Sequence, residues 1–160
     1  MLKEIVKHHV TSEEHGLSVN IEALEKDRKY KEVAINAVVK QVEKNPKACV
    51  YLPSYKVGSP LGAFINGLAA HKEVKNLKTT DIAEVLKLKT TQVTDVLIIK
   101  QSFKTGNGLK EQIKVLKEHG FNVSVFCLVA HSSTKLVQFA YENKVNAKAA
   151  VCLDEIPYLK

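Results

Sequence analysis

Arginine is nearly absent from this 160-residue chain, in which Arg28 is the single arginine. The net charge of +7 therefore comes almost entirely from lysine. Arginine is the usual residue for bidentate contacts to phosphate and guanine, so this composition does not favour a nucleic-acid surface. We expect solubility to explain most of the charge and an anionic small molecule to be the next explanation. RNA or DNA is the least favoured partner.

Long apolar segments and a cysteine framework are also lacking. No apolar run reaches the length that spans a bilayer, and the segment 1–7 carries an acid and lacks the apolar core of a signal peptide. We therefore expect a cytoplasmic protein that does not enter a membrane. Cys49, Cys127 and Cys152 are few, odd in number and widely spaced. Their apolar surroundings predict buried, reduced thiols, and their spacing matches no metal site.

The length and balanced composition predict one globular domain covering residues 1–160. The chain has 45% hydrophobic and 26% charged residues, with neither an internal repeat nor a long linker. We divide the domain into an N-terminal helical, hood-like segment at 1–45 and an α/β core at 46–160.

Helical and strand-like segments alternate through the core. Apolar periodicity and end signals predict helices over 29–44, 61–71, 82–86, 108–119 and 132–141. Short apolar runs predict strands over 48–53, 74–78, 93–99, 123–129 and 147–153. This alternation predicts an α/β fold with a parallel, doubly wound sheet flanked by helices. Ligands bind beyond the carboxyl ends of such strands, which places the loops at 53–60 and 100–108 at one edge.

The second of these loops suits a phosphate group. It contains Lys104, Thr105, Gly106, Asn107 and Gly108, between the most apolar strand and a clear helix. Such a junction directs backbone N–H groups and the positive end of the helix dipole at one spot. The competing interpretation is a tight turn that uses glycine only for its backbone freedom.

The segment around this loop resembles the common motif of the type I phosphoribosyltransferases. That motif has an aliphatic strand, two acidic residues, two variable residues, a Thr/Gly-rich phosphate loop and a helix. Here Val96–Ile99 matches the strand, 104–108 the loop and Leu109–His119 the helix.

Three further segments are most similar to orotate phosphoribosyltransferases. Thr11–Asn20 resembles their early loop, Pro53 with Gly58–Gly62 resembles their pyrophosphate loop, and Val145–Ile156 resembles their closing strand. The resemblance implies a domain that binds phosphoribosyl pyrophosphate or a nucleotide monophosphate, commonly as a homodimer. Mg²⁺ would accompany the pyrophosphate.

The resemblance also implies roles for single residues, each with a plainer alternative. Ser54, Tyr55, Lys56 and Gly58 would form the pyrophosphate loop, although Lys56 also suits an ordinary surface lysine. In the early loop, His15 and Asn20 are candidate site residues, but a solvated loop position for His15 and a turn position for Asn20 are the favoured interpretations.

The motif departs from the family at its acidic pair. Lys100 and Gln101 stand where the family's two carboxylates accept hydrogen bonds from the ribose hydroxyls and stabilise positive charge at the sugar. Lysine cannot accept a hydrogen bond, and glutamine is neutral. Losing two charged hydrogen bonds of about 1.5–3 kcal/mol each corresponds to roughly two to four decades in rate. The catalytic residues are therefore unknown.

Three functions remain open from the sequence. The favoured hypothesis is a catalytically impaired, orotate phosphoribosyltransferase-like protein that binds a phosphorylated ligand. The second is an active enzyme of pyrimidine biosynthesis, a glycosyltransferase in which Asp81 or Glu84 replaces the lost acids. The third is a nucleic-acid-binding regulator on the same fold.

Overall fold

The computed structural model describes residues 2–13, 16–44, 48–53, 76–79, 82–87 and 95–155. The strands are β1 (Val10–Glu13), β2 (Gly16–Val19), β3 (Cys49–Leu52), β4 (Asn76–Thr79), β5 (Asp95–Phe103), β6 (Asn122–Ala130) and β7 (Asn146–Cys152). The helices are α1 (Leu2–Lys7), α2 (Ile21–Lys26), α3 (Arg28–Lys44), α4 (Ile82–Leu86), α5 (Asn107–Glu118) and α6 (Ser133–Asn143), with a 3₁₀ turn at Leu153–Glu155.

Five of these strands form one parallel sheet in the order β4-β3-β5-β6-β7. The chain starts at β3, adds β4 on one side, and then adds β5, β6 and β7 on the other. The direction of winding therefore reverses between β3 and β5, which is the switch point where open parallel sheets hold ligands. The predicted parallel, doubly wound α/β fold is confirmed.

The central strand β5 is buried because it faces a core on each side of the sheet. Leu97 and Ile99 pack with residues of α1, α2 and α3, whereas Val96 and Ile98 pack with residues of α5 and α6. Successive side chains of a strand point to opposite faces, so a continuous apolar run serves both cores. This burial fixes the register of β5, and with it the place where the strand ends.

β5 is longer than predicted, and the expected loop beginning at residue 100 is wrong. The strand continues to Phe103, with Ser102 opposite Val129 and Phe103 opposite Ala130 in β6. The polar pair at 100–101 interrupts the apolar run, which hid this extension from the sequence pattern. Lys100 and Gln101 therefore lie within a rigid strand rather than in a loop.

Other predicted ends agree closely with the structure. Gly120 follows α5 with a positive φ of 95°, where Phe121 N donates to Leu116 O, as expected of a glycine that ends a helix. Ser132 caps α6 by accepting from Lys135 N at 3.2 Å. The predicted helix at 61–71 lies outside the described residues.

The three thiols are reduced, but they are not equally buried. Cys49 and Cys127 are buried as predicted, whereas Cys152 is only partly covered because β7 is an edge strand. Burial raises the pKa of Cys127 to about 12, which makes it a packing residue rather than a nucleophile.

Within the described ranges, none of the helices is long and apolar enough to cross a membrane.

The N-terminal segment is more complex than the predicted helical hood. Two short helices, α1 and α2, flank an antiparallel hairpin of β1 and β2, in which Val10 lies opposite Val19. Asn20 ends this hairpin and caps α2, because its side-chain oxygen accepts from Ala23 N at 3.1 Å. The turn interpretation of Asn20 therefore has a direct structural basis.

Asp27 joins this segment to the first core helix. Its carboxylate accepts from Lys29 N at 3.0 Å and from Tyr30 N at 3.3 Å, which caps α3. The same carboxylate lies 3.1 Å from His9 Nε2. The hydrogen bond with His9 is the main cause that lowers the pKa of Asp27 below 3.8. One side chain thus fixes both the start of α3 and its contact with the N-terminal turn.

We predict that Asp27→Ala lowers the free energy of unfolding at pH 7 by about 0.5–2 kcal/mol, the usual cost of a lost cap. Asp27→Asn keeps an acceptor for the helix and should cost less. Because folding lowers the pKa of Asp27, its charge stabilises the fold above about pH 4 and ceases to do so as the pH falls through the folded pKa. Urea unfolding at several pH values checks this, and the gap between wild type and Asp27→Asn should shrink in acid. A gap that widens in acid would contradict the assignment.

Candidate functional site: a cleft at the start of helix α5

A three-residue link joins the end of β5 to α5. Lys104 and Thr105 are exposed, Gly106 is the N-cap, and the helix begins at Asn107. Thr105 Oγ1 accepts from Asn107 N at 3.4 Å, and Gly106 O accepts from Leu109 N at 2.9 Å. The predicted strand–loop–helix junction is therefore present, with its loop shortened to Lys104–Gly106.

Gly106 is required at this junction by conformation and by space. Its φ of 73° lies in the left-handed region that favours glycine. A Cβ placed there would lie 2.5 Å from the Phe139 ring and 2.7 Å from the Phe103 ring. These two rings meet edge to face with centroids 5.1 Å apart. The backbone of the loop is thus held against an aromatic pair formed by β5 and α6.

No acidic side chain offsets the positive field at the start of α5. Gly106 has no side chain to cap the helix, and the first turn, which begins at Asn107, contains no acid. Backbone N–H groups at a helix start and the helix dipole together favour an anion in this position.

An open cleft of about 220 Å³ lies in front of this helix start. It is lined by residues of β5, the link and the first turn of α5: Lys100, Ser102, Phe103, Lys104, Thr105, Gly106, Asn107, Gly108 and Leu109. All five residues predicted to bind phosphate line this cleft, and so does Lys100. Among the described residues that line it, two are lysines and none is an acid. The cleft is therefore suited to a negatively charged group.

Lys100 is half-buried on the side of β5 that faces the cleft and Cys127. Burial lowers its pKa, because a desolvated ammonium loses hydration energy, and the neighbouring Cys127 partly offsets this effect. An anion bound in the cleft would stabilise the charged form. The position at which the motif resemblance expected a carboxylate thus holds a lysine that lines the cleft.

Gln101 takes a different role on the opposite face of β5. Its side chain is buried, and its Oε1 accepts a hydrogen bond from the hydroxyl of Tyr30 in α3. In this arrangement Nε2 is buried without a hydrogen-bond partner. Gln101 does not line the cleft, so the two replaced positions have become one cleft cation and one core contact.

The described lining does not fit Mg²⁺ held by the protein. Mg²⁺ prefers carboxylate and phosphate oxygens, whereas this lining offers ammonium groups, backbone amides and the hydroxyls of Ser102 and Thr105. Elsewhere in the described chain, Cys152, Asp154 and Glu155 lie close enough to share an ion. Asp154 already accepts from the Ser133 backbone N and hydroxyl, so this group has a structural task at the start of α6.

Several predicted site residues do not enter this cleft. Ser54, Tyr55, Lys56 and Gly58 lie outside the described residues, as do His15 and Asp81. Asn20 caps α2, and Glu84 is exposed on α4 with its carboxylate 3.0 Å from Lys87 Nζ.

Sequence reasoning missed the residues that support the loop from behind. Tyr30, Phe103 and Phe139 are buried aromatic residues on three different elements. Each lies at an apolar position of a helix or strand, and such positions look like ordinary core in a sequence. Only the folded structure shows that Tyr30 contacts Gln101 and that Phe103 and Phe139 pack against Gly106.

Comparison by sequence finds no match, either among protein-family models or among curated proteins. Comparison by structure finds many. The orotate phosphoribosyltransferase of Aeropyrum pernix superposes with a TM-score of 0.65 at 15% identity, covering 98% of this chain and 96% of that one. The adenine phosphoribosyltransferase of Leishmania donovani gives 0.68 at 8% identity, covering 98% and 82%.

A third similar structure carries a ligand. The orotate phosphoribosyltransferase of Mycobacterium tuberculosis, in complex with 5-phospho-α-D-ribosyl 1-diphosphate, gives a TM-score of 0.63 at 14% identity, covering 97% of this chain and 96% of that one. These similarities extend over nearly the whole chain. The chain therefore has the type I phosphoribosyltransferase-like fold that the motifs predicted.

We predict that Gly106→Ala destabilises the fold by at least about 1–2 kcal/mol, because alanine disfavours the left-handed conformation and its Cβ meets both phenylalanine rings. Gly108→Ala is the matched control, since a Cβ there meets nothing within 4 Å. It should leave stability unchanged or raise it by up to about 1 kcal/mol. Thermal and urea unfolding of both variants measure the difference. Equal stabilities would contradict the steric requirement for glycine at position 106.

Proposed function

We propose that this chain binds a phosphorylated ligand, a ribose phosphate or a nucleotide, in the cleft at the start of α5, and that it transfers phosphoribosyl groups poorly or not at all. The observation that carries this proposal is the composition of the cleft. Its described lining combines the backbone donors of a phosphate loop with Lys100 and Lys104, and includes no acid.

The phosphate half of the proposal is supported by the loop geometry. Gly106 opens α5 in the left-handed conformation, and the first turn carries no acid that would compete with an anion. Lys104 is exposed beside these donors and adds a flexible positive charge. A phosphate there would receive backbone hydrogen bonds and an ammonium contact together.

The impaired transfer is supported by the pair at 100–101. A sugar that develops positive charge at its reacting carbon is stabilised by nearby carboxylates and repelled by an ammonium. Lys100 supplies an ammonium in the cleft, and Gln101 directs its amide to the other face of the sheet. The similar structure with bound 5-phospho-α-D-ribosyl 1-diphosphate supports a ligand of this class, because it shares the fold.

We predict that isothermal titration detects ribose 5-phosphate binding and that Lys104→Met weakens it about tenfold, since a charged hydrogen bond is lost. Lys114→Met is the matched control, because Lys114 is exposed on the same helix but does not line the cleft. In a steady-state assay with orotate, phosphoribosyl pyrophosphate and Mg²⁺, we expect no turnover above background. Absence of ribose 5-phosphate binding would refute the site, and clear turnover would instead favour the active enzyme.

The assembly that we propose is a homodimer in the cytoplasm, as the family resemblance implies. Two apolar side chains one turn apart on α6 support a contact between copies, since Val137 is 69% and Tyr141 85% exposed. Large exposed apolar side chains of this kind often mark an interface.

For the dimer, we predict that sedimentation finds two copies for the wild type and one for the double variant Val137→Glu with Tyr141→Glu, because buried carboxylates are strongly disfavoured. Thr134→Glu, an exposed position on the same helix, is the control and should remain dimeric. A monomeric wild type would contradict the dimer without affecting the ligand site.

A further inference from the structure

The strand β7 forms one edge of the parallel sheet. Among the described strands it pairs with β6 alone, so its outer side presents a row of backbone N–H and C=O groups. Lys148 and Ala150 are exposed, which shows that the described helices leave the middle of this strand accessible. Proteins usually protect such an edge with proline or several charges, yet Asn146–Cys152 contains one lysine and neither an acid nor a proline. This edge is therefore suited to another strand.

The helix beside this edge exposes apolar side chains on the adjoining flank. Both α5 and α6 pack on one face of the sheet, and α6 lies nearer to the edge because it connects β6 to β7. Gln138 and Glu142 of α6 line a groove with Lys110 of α5. Val137 and Tyr141, which are 69% and 85% exposed, are turned away from that groove, on the flank toward β7. Strand edge and apolar flank thus form one continuous surface.

This surface is complementary to itself about a two-fold axis perpendicular to the sheet. Such an axis pairs two β7 strands antiparallel and keeps both copies of α6 on the same face, so their exposed flanks meet. The register that pairs all seven residues is centred on Ala149, the midpoint of Asn146–Cys152. It places Lys148 opposite Ala150 of the partner subunit. A pairing centred on Lys148 would instead oppose two ammonium groups, which is unfavourable.

We infer that this chain dimerises by continuing its sheet across β7, in antiparallel register about Ala149, with Val137 and Tyr141 of the two α6 helices in contact across the axis. The two five-stranded sheets then become one. This inference rests on the dimer proposed above and names its interface. The partner is a second copy because a single symmetry axis satisfies the strand edge and the apolar flank together, whereas an unrelated strand would satisfy the edge alone.

Cysteine cross-linking tests the register. In a Cys152→Ala background, Ala149→Cys should give a disulfide-linked dimer under air oxidation. The reason is that opposite residues of antiparallel strands have Cα atoms about 4.5–5.5 Å apart, within the reach of a disulfide. Asn146→Cys in the same background is the matched control, because its two copies would lie about 20 Å apart along the strands and should not link. Gels without reductant read out both variants, and the buried Cys49 and Cys127 do not interfere.

Charge at position 150 tests the same register without a cross-link. Ala150→Lys should raise the Kd of the dimer and Ala150→Glu should lower it, each by roughly twofold to thirtyfold, because two symmetric contacts with Lys148 are added. Ala150 is exposed, so the fold tolerates both side chains. Asn36→Lys and Asn36→Glu, at an exposed position of α3, make the same changes in net charge outside the interface and should shift the Kd less. Sedimentation equilibrium measures all four variants.

Each contrary result has a distinct meaning. If the protein sediments as a dimer but both cysteine variants link, or neither does, this interface is wrong and the dimer stands. Shifts of one sign for both Ala150 variants, or shifts no larger than those of the Asn36 variants, would also overturn the interface. A wild type that is monomeric at every concentration would overturn the inference together with the dimer, and would leave this edge to a strand of another protein. Ribose 5-phosphate titration reports on the ligand site independently of these results.

Discussion

The hydrogen bond between Tyr30 and Gln101 is the contact on which the candidate site depends. It joins α3 to β5 inside the core. On the opposite face of β5, the neighbouring residue Lys100 lines the cleft. Buried polar groups need partners, and this pair satisfies the amide oxygen within an otherwise apolar layer. Asp27 supports the same contact from a distance, because its capping bonds fix the first turn of α3, in which Tyr30 lies. The cap at Asp27 is therefore linked to the central strand β5 through the side chain of Tyr30.

The alternation of side chains along β5 links the contact between Tyr30 and Gln101 to the composition of the cleft. Because neighbours on a strand point to opposite faces, holding Gln101 toward α3 places Lys100 toward the cleft. A flexible loop would allow Lys100 to leave the site. Here, in contrast, β5 pairs with β6 both before and after residues 100 and 101, from Ile99 to Phe103. Pairing with β6 thus fixes the backbone that carries Lys100, whereas Lys104 lies on the exposed link.

Much of the architecture could be predicted from the sequence, because apolar runs such as Val96–Ile99 and end signals such as Gly120 act locally. The strand–loop–helix junction at 104–108 could also be predicted, since its residues are contiguous. The extension of β5 could not, because Lys100 and Gln101 break the apolar pattern while pairing with β6 maintains the strand. The hairpin before Asn20 could not be predicted either, because its strands are short and show little alternation of apolar and polar residues. Long-range partners such as Tyr30 leave no local signal.

The packing of Phe103 and Phe139 against Gly106 restrains which residues this loop can acquire by mutation. Phe103 and Phe139 exclude any larger residue at 106, so this glycine would resist replacement whatever the loop binds. Among divergent copies of this chain, an unchanged glycine therefore records the packing of α6 against β5.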